Sequence, residues 1–115
     1  MDTRSKIVAR AEAHRHLGAK AARWVSGHFD PLLAAHVRRL RHYSAEGQSL
    51  VVEITNPPKP LLSAQARAEL VAALSMVDYV ILPDGPSTSE PINDAPITAH
   101  FIDHVRTRHQ LEAKQ

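Results

Sequence analysis

Seven residues near the middle of the chain, Ser49-Leu50-Val51-Val52-Glu53-Ile54-Thr55, constrain the fold more than any other stretch. The run is rich in β-branched residues and nearly continuous in apolarity, which is the pattern of a central strand in a parallel sheet covered on both faces. Asn56-Pro57-Pro58-Lys59-Pro60 closes it as a rigid loop, because three prolines lack the donor that a strand ladder needs.

Other segments alternate with this strand. Ala22-Arg23-Trp24-Val25-Ser26 is short, apolar and bounded by Gly27, as a buried first strand feeding a tight turn would be. Asp30 supplies an N-cap acceptor and Pro31 a φ suited to a first helical position, so a helix is predicted from there to about Glu46, with Gly47 as its stop and Leu33, Val37 and Leu40 on one face. Ser63 caps a further helix running to about Met76. Asp78-Tyr79-Val80-Ile81-Leu82 reads as the third strand, ended by Pro83-Asp84-Gly85-Pro86.

At the front, residues 3–17 carry apolar positions at Ile7, Val8, Ala11 and Leu17 before Gly18, which predicts a leading amphipathic helix. At the back, Thr98 to about Glu112 reads as a helix with Phe101, Ile102, Val105 and Leu111 on a partial apolar face. Strands alternating with helices imply right-handed crossovers and an α/β class: a small Rossmann-like parallel sheet of three main strands flanked by helices. The 115 residues fit one domain. It divides into a leading helix over 1–20, a β-α-β-α-β core over 21–82, a loop over 83–96 and a C-terminal helix over 97–115.

Composition narrows the function classes. Fourteen Lys and Arg against twelve Asp and Glu give a formal charge of +2, which does not argue for nucleic acid, and the Arg38-Arg39-Arg41 group reads as a solvated helix face. The absence of cysteine excludes a disulfide framework, thiolate zinc binding and thiol redox chemistry. No long apolar run marks a secretory signal or a membrane span, so the expected location is cytoplasmic with no membrane partner. His100 and His104 sit four apart around Asp103, yet there is no H-E-x-x-H glutamate and no third ligand, so no metal site is assigned. His14 and His16 point to different helix faces, and Trp24 and Met76 read as core residues.

Three blocks in order carry a resemblance. Gly27-His28-Phe29-Asp30 followed by Leu33-Ala34-Ala35-His36 matches a G-x-F-D turn running into an H-x-G-H helix start, with Leu33 in place of the first histidine and Ala35 in place of the glycine. Lys59-Pro60-Leu61 stands for an R/K-P-L element. Arg67-Ala68 with Ala73-Leu74, then Val77-Asp78-Tyr79-Val80, follow an R-A-x-x-x-x-A-L and V-D-x-V run. Over roughly Lys6 to Leu82 the chain therefore resembles the bacterial cytidylyltransferase-like nucleotidyltransferases, especially the glycero-manno-heptose 1-phosphate adenylyltransferase branch, which also opens with K-I-V before the first strand.

That resemblance implies transfer of AMP or CMP from ATP or CTP to a phosphorylated sugar or alcohol, with Mg²⁺ as cofactor if the chain is active. The glycine turn and helix start would cradle phosphates through backbone N–H groups. It assigns His36 as the surviving catalytic imidazole and Gly27, His28, Phe29, Asp30, Lys59, Arg67 and Thr98 to nucleotide or phosphate binding, with Arg67 supporting either the loop or the phosphates and Thr98 as the remaining hydroxyl of a closing motif. Blander readings stand beside these: His28 as a solvent-facing loop residue, His36 as a helix-surface residue, Phe29 packed in the core, Asp30 as a helix cap, Lys59 solvated, and Arg67 in a surface ion pair with Glu69 or Asp84. Losing one donor to a transition-state oxygen commonly costs about 2–4 kcal/mol, so Leu33 predicts weak or absent turnover.

The alternative is a non-catalytic interaction or regulatory module using the fold as a scaffold. In the family's strand order, 3-2-1, the first strand lies at an edge that invites pairing. Either the segment around Pro91-Ile92-Asn93 or the C-terminal helix folds back over it, or a partner protein or second copy covers it. A two-fold homodimer is the expectation, since the proline-rich segment is a poor strand former.

Overall fold

The computed structural model describes residues 3–44, 47–85 and 89–92. Four parallel strands form one sheet in the order β3-β2-β1-β4: β1 is Ala22–Gly27, β2 Ser49–Ile54, β3 Tyr79–Ile81 and β4 Glu90–Pro91. Helix α1 spans Arg10–Leu17, α2 Ala34–Ser44 and α3 Ala64–Ala72. The α/β class and the 3-2-1 order of the main strands hold. β1 pairs with β2 along its whole length, from Ala22 opposite Ser49 to Gly27 opposite Ile54.

Strand β2 is covered on both faces, as its apolar run requires. Leu50, Val52 and Ile54 join Val25, Val80 and Phe29 against Leu40 of α2 and Ala68, Val71 and Ala72 of α3. On the other face Val51 and Ile81 meet Ala13 and Leu17 of α1, with Trp24 and Tyr79 packed at the margin. Each fully buried aliphatic side chain is worth about 1.5–3 kcal/mol. The α2–α3 face, with twelve buried apolar residues against four under α1, therefore carries most of the stability.

Aromatic stacking supplements the smaller face. The His14 ring stacks on Trp24 with centroids 4.7 Å apart, and His16 lies over Tyr79 at 5.8 Å. Gly18 donates the last helical bond of α1 to the His14 carbonyl at 3.0 Å, and its positive φ of 55 turns the chain so that Lys20 N–H reaches the Leu17 carbonyl at 2.9 Å.

Several boundaries differ from expectation. The leading helix is broken: Thr3–Lys6 form a 3-10 turn, Ile7 then pairs with Val80, and Val8 N–H reaches the Val80 carbonyl at 3.0 Å. An edge strand with open backbone groups competes for this segment and wins over helix propensity. Helix α2 starts at Ala34, because the Asp30 carboxylate is engaged elsewhere and does not cap it. Helix α3 keeps the expected cap, with Ala66 N–H donating to Ser63 Oγ at 3.1 Å, but ends at Ala72.

The stretch expected as loop after β3 contains β4, which pairs with Val25 and Ser26 and sends Ile92 N–H to the Ser26 carbonyl at 2.7 Å. Pro91 is tolerated because β4 needs donors on one side only, and buried Ile92 anchors it. The premise of a bare β1 edge is thus corrected over Val25 and Ser26: the chain folds back there. The predicted C-terminal helix, with Thr98, His100 and His104, lies outside the described residues. No described helix is long and apolar enough to cross a membrane.

Candidate functional site

Strand β1 leaves the sheet at Gly27, whose carbonyl accepts Thr55 N–H at 2.9 Å, so the C-terminal ends of β1 and β2 stay joined as they open into loops. The left-handed residue of the turn is Phe29, at φ 50, rather than Gly27. That conformation is uncommon for a residue with a side chain. The fully buried Phe29 ring, locked into the core, offsets it.

Asp30 follows, nearly buried, and its two carboxylate oxygens accept Leu61 N–H at 2.6 Å and Leu62 N–H at 2.8 Å. These donors open the turn into α3 and would otherwise be orphaned, so the carboxylate caps the β2–α3 connection from across the site. His28, half-buried, places Nδ1 2.8 Å from Thr55 Oγ1 and 3.2 Å from the Thr55 carbonyl. It faces the β2 loop instead of open solvent.

Arg67 of α3 completes the brace. It is 1% exposed and makes no surface ion pair with Glu69 or Asp84. Its Nε donates to the Leu62 carbonyl at 3.1 Å, Nη1 to the carbonyls of His28 at 3.0 Å and Thr55 at 2.7 Å, and Nη2 to Asn56 Oδ1 at 2.8 Å. A planar fork with fixed donor directions can span four acceptors on two loops in a way that a lysine cannot.

His36 is fully buried, with the Phe29 ring edge-on at 5.4 Å. Its Nδ1 accepts Leu33 N–H at 2.9 Å, while Val37 N–H donates to the Leu33 carbonyl at 3.1 Å. Leu33 is therefore the N-cap residue and His36 the third helical residue, whose side chain reaches back to the N-cap N–H as a glutamate or glutamine does in a capping box. An accepting Nδ1 puts the hydrogen of the neutral ring on Nε2. Neither of the surface or ligand-facing readings of His36 anticipated this capping contact.

Gly27, His28, Phe29, Asp30, His36 and Arg67 thus converge at the C-terminal ends of β1 and β2, where open parallel sheets place their ligand clefts. Lys59 is exposed on the β2–α3 loop, and Thr98 lies outside the described residues. Among the described residues no group of three or more His, Asp or Glu could hold a metal ion, and Asp30, the carboxylate of the turn, is committed to Leu61 and Leu62.

One polar network was not foreseen. Arg10 grips Asp84 through Nε at 3.0 Å and Nη2 at 2.8 Å and also pairs with Glu53, while Ser89 Oγ donates to the second Glu53 oxygen. Glu53 is 2% exposed on the α1 side of β2. The hydrogen bond from Arg10 holds the Asp84 carboxyl below its ordinary range, and the two carboxylates push the Arg10 guanidinium up, Asp84 most. The lone acid in an otherwise apolar strand was the available signal. A cavity of about 390 Å³ beside this network, lined by Ile7, Val8, Arg10, Leu82 and Asp84 among others, includes none of the expected site residues.

No family model matches the chain. In sequence it is similar to the bifunctional protein HldE of Syntrophotalea carbinolica, 34% identical over 91 residues that cover 71% of this chain and 18% of that protein. It is likewise similar to the HldE of Methylobacillus flagellatus, 33% identical over 96 residues covering 76% and 20%. The FAD synthase of Methanosarcina barkeri is 34% identical over 73 residues, covering 58% of this chain and 52% of the synthase. The chain spans about a fifth of the length of the bifunctional proteins it matches and about half of the synthase.

Proposed function

We propose, on the premise that the chain is similar in sequence and α/β fold to the cytidylyltransferase-like nucleotidyltransferases, that it is a nucleotidyltransferase-like domain which binds nucleotide phosphate at the Gly27-to-His36 turn and transfers nucleotide slowly or not at all. The observation that carries this reading is the state of the motif: the Leu33 side chain has no donor, and the remaining imidazole, His36, is buried and spends Nδ1 on the Leu33 backbone N–H. The ligands of the reading are ATP or CTP and a phosphorylated small molecule.

The residues act by position. The brace of Asp30, Arg67 and His28 holds the turn so that its backbone donors keep a fixed geometry, which is what phosphate recognition at a helix start requires. Mg²⁺ would neutralise charge on the triphosphate, but the described residues offer it no carboxylate set, and no step is assigned to it.

Titration calorimetry with ATP and with CTP in Mg²⁺ tests the cradle, and a pyrophosphate-release assay tests the chemistry. Weak binding heat without appreciable pyrophosphate is expected. Robust release from either nucleotide with any sugar or alcohol phosphate would refute the loss of turnover, and no heat with either nucleotide would refute the cradle. In the second outcome the alternative stands, a non-catalytic module with a partner protein or a second copy. Sedimentation then decides whether the part of the β1 edge not paired by β4, Ala22–Trp24, supports the homodimer.

A further inference from the structure

The charge balance of +2 conceals an uneven distribution. Helix α2 exposes Arg38, Arg39, Arg41 and His42, and no Asp or Glu occurs anywhere along Ala34–Ser44. Six of the carboxylates are engaged elsewhere: Asp30 on Leu61 and Leu62, Glu53 and Asp84 on Arg10, Glu69 near Arg4, Glu12 near His16, and Asp78 on Leu50 N–H. Among the described residues no ion pair involves any of the three arginines.

Arg41 lies in the last turn, where a cation complements the helix dipole. Arg38 and Arg39 have no such explanation. Like charges three residues apart on a helix, such as Arg38 and Arg41, repel. The cluster therefore disfavours the free protein slightly and gains when an anion neutralises it.

Two classes of anionic partner could do so, and the face separates them. A protein partner needs apolar or aromatic anchors at the centre of its contact. This face offers no large exposed apolar side chain: Ala34 and Ala35 are small, His42 is polar, Val37 and Tyr43 at its margins are half-buried, His36 and Leu40 turn into the core, and the exposed large apolar side chains, Leu61 and Leu70, lie on other elements. A phosphodiester chain needs no such anchor, because phosphate contacts supply its non-specific affinity and the arginine fork matches phosphate oxygens.

We propose that the exposed face of α2 binds the phosphodiester backbone of nucleic acid without base preference, through Arg38, Arg39 and Arg41. This departs from the expectation that composition alone supported. It does not rest on nucleotide binding at the turn, and either can fail without the other.

The test is fluorescence anisotropy with a labelled single-stranded oligonucleotide of mixed sequence. Three phosphate contacts predict a slope of about −2 in log affinity against log salt, or about a 20-fold loss between about 50 and 200 mM salt. The R38Q/R39Q/R41Q variant, with its fold checked by circular dichroism, should bind at least about 10-fold more weakly and with a flattened slope. Arg4→Gln, which removes an exposed arginine beside Glu69 of α3, should bind like the wild type. No binding at low salt, a slope near zero, or a triple variant indistinguishable from wild type would overturn the proposal. Competition by poly-glutamate as strong as that of the oligonucleotide would also overturn it, assigning the face to an acidic protein.

Discussion

Replacing Arg67 with alanine removes four donated hydrogen bonds at once, to Leu62, His28, Thr55 and Asn56. A hydrogen bond from a charged donor contributes about 1.5–3 kcal/mol net, so four give about 6–12 kcal/mol gross. Burying a guanidinium among neutral acceptors costs several kcal/mol, which sets the net loss at about 3–5 kcal/mol. For a domain of this size about 1 kcal/mol corresponds to about 4 °C, so the melting temperature should fall by about 12–20 °C. Arg67→Lys keeps the charge but cannot span acceptors on two loops, and should lose about 2–3 kcal/mol. Urea and thermal unfolding followed by circular dichroism would measure both. An alanine variant within about 1 kcal/mol of wild type, or a lysine variant indistinguishable from it, would refute the brace.

His36→Ala should cost about 2–4 kcal/mol through cavity and lost cap, while His36→Gln, which retains an acceptor at the third helical position, should recover about 1 kcal/mol of it; equal stabilities of the two variants in urea would refute the capping role. The depressed Asp84 carboxyl contributes stability that is present above its unfolded pKa and lost as pH falls through its folded value. Because Asp84 is largely exposed, that contribution is under about 1 kcal/mol. Asp84→Asn should therefore be slightly less stable than wild type at pH 6, with the difference vanishing toward pH 2, as thermal melts across that range would show. Installing Leu33→His with Ala35→Gly should raise pyrophosphate release by about two decades if the missing donor is what limits turnover, and no change would move the defect elsewhere in the site.

The positions of β1, β2 and β3 were legible because apolar runs and turn residues act locally, whereas their 3-2-1 order came from the family resemblance. What the sequence hid were side chains whose partners lie far along the chain. Asp30-Pro31 carries a local helix-start signal, but the carboxylate's partners are the N–H groups of Leu61 and Leu62, 31 and 32 residues on. For Arg67 the resemblance left support of the loop or of the phosphates open beside a surface ion pair, and only the meeting of two loops, which supplies enough carbonyls to bury it, decides for the loop. Glu53 looked like a minor interruption in β2 until α1 brought Arg10 to it. Strand β4 was ranked behind a homodimer because of Pro91, whose missing donor excludes a central strand but not an edge.

The stack of His14 on Trp24 gives the molecule an internal spectroscopic reporter. Trp24 is the sole tryptophan and stacks, from β1, on the His14 ring of α1, with the Arg10 guanidinium 5.9 Å from its centroid. Its emission therefore follows the seating of α1 on the thinner layer of the sheet, whereas far-ultraviolet dichroism follows the whole backbone. If α1 lifts off before the thicker layer melts, the fluorescence transition will precede the dichroic one. Coincident curves would mean that both layers come apart as a single cooperative unit.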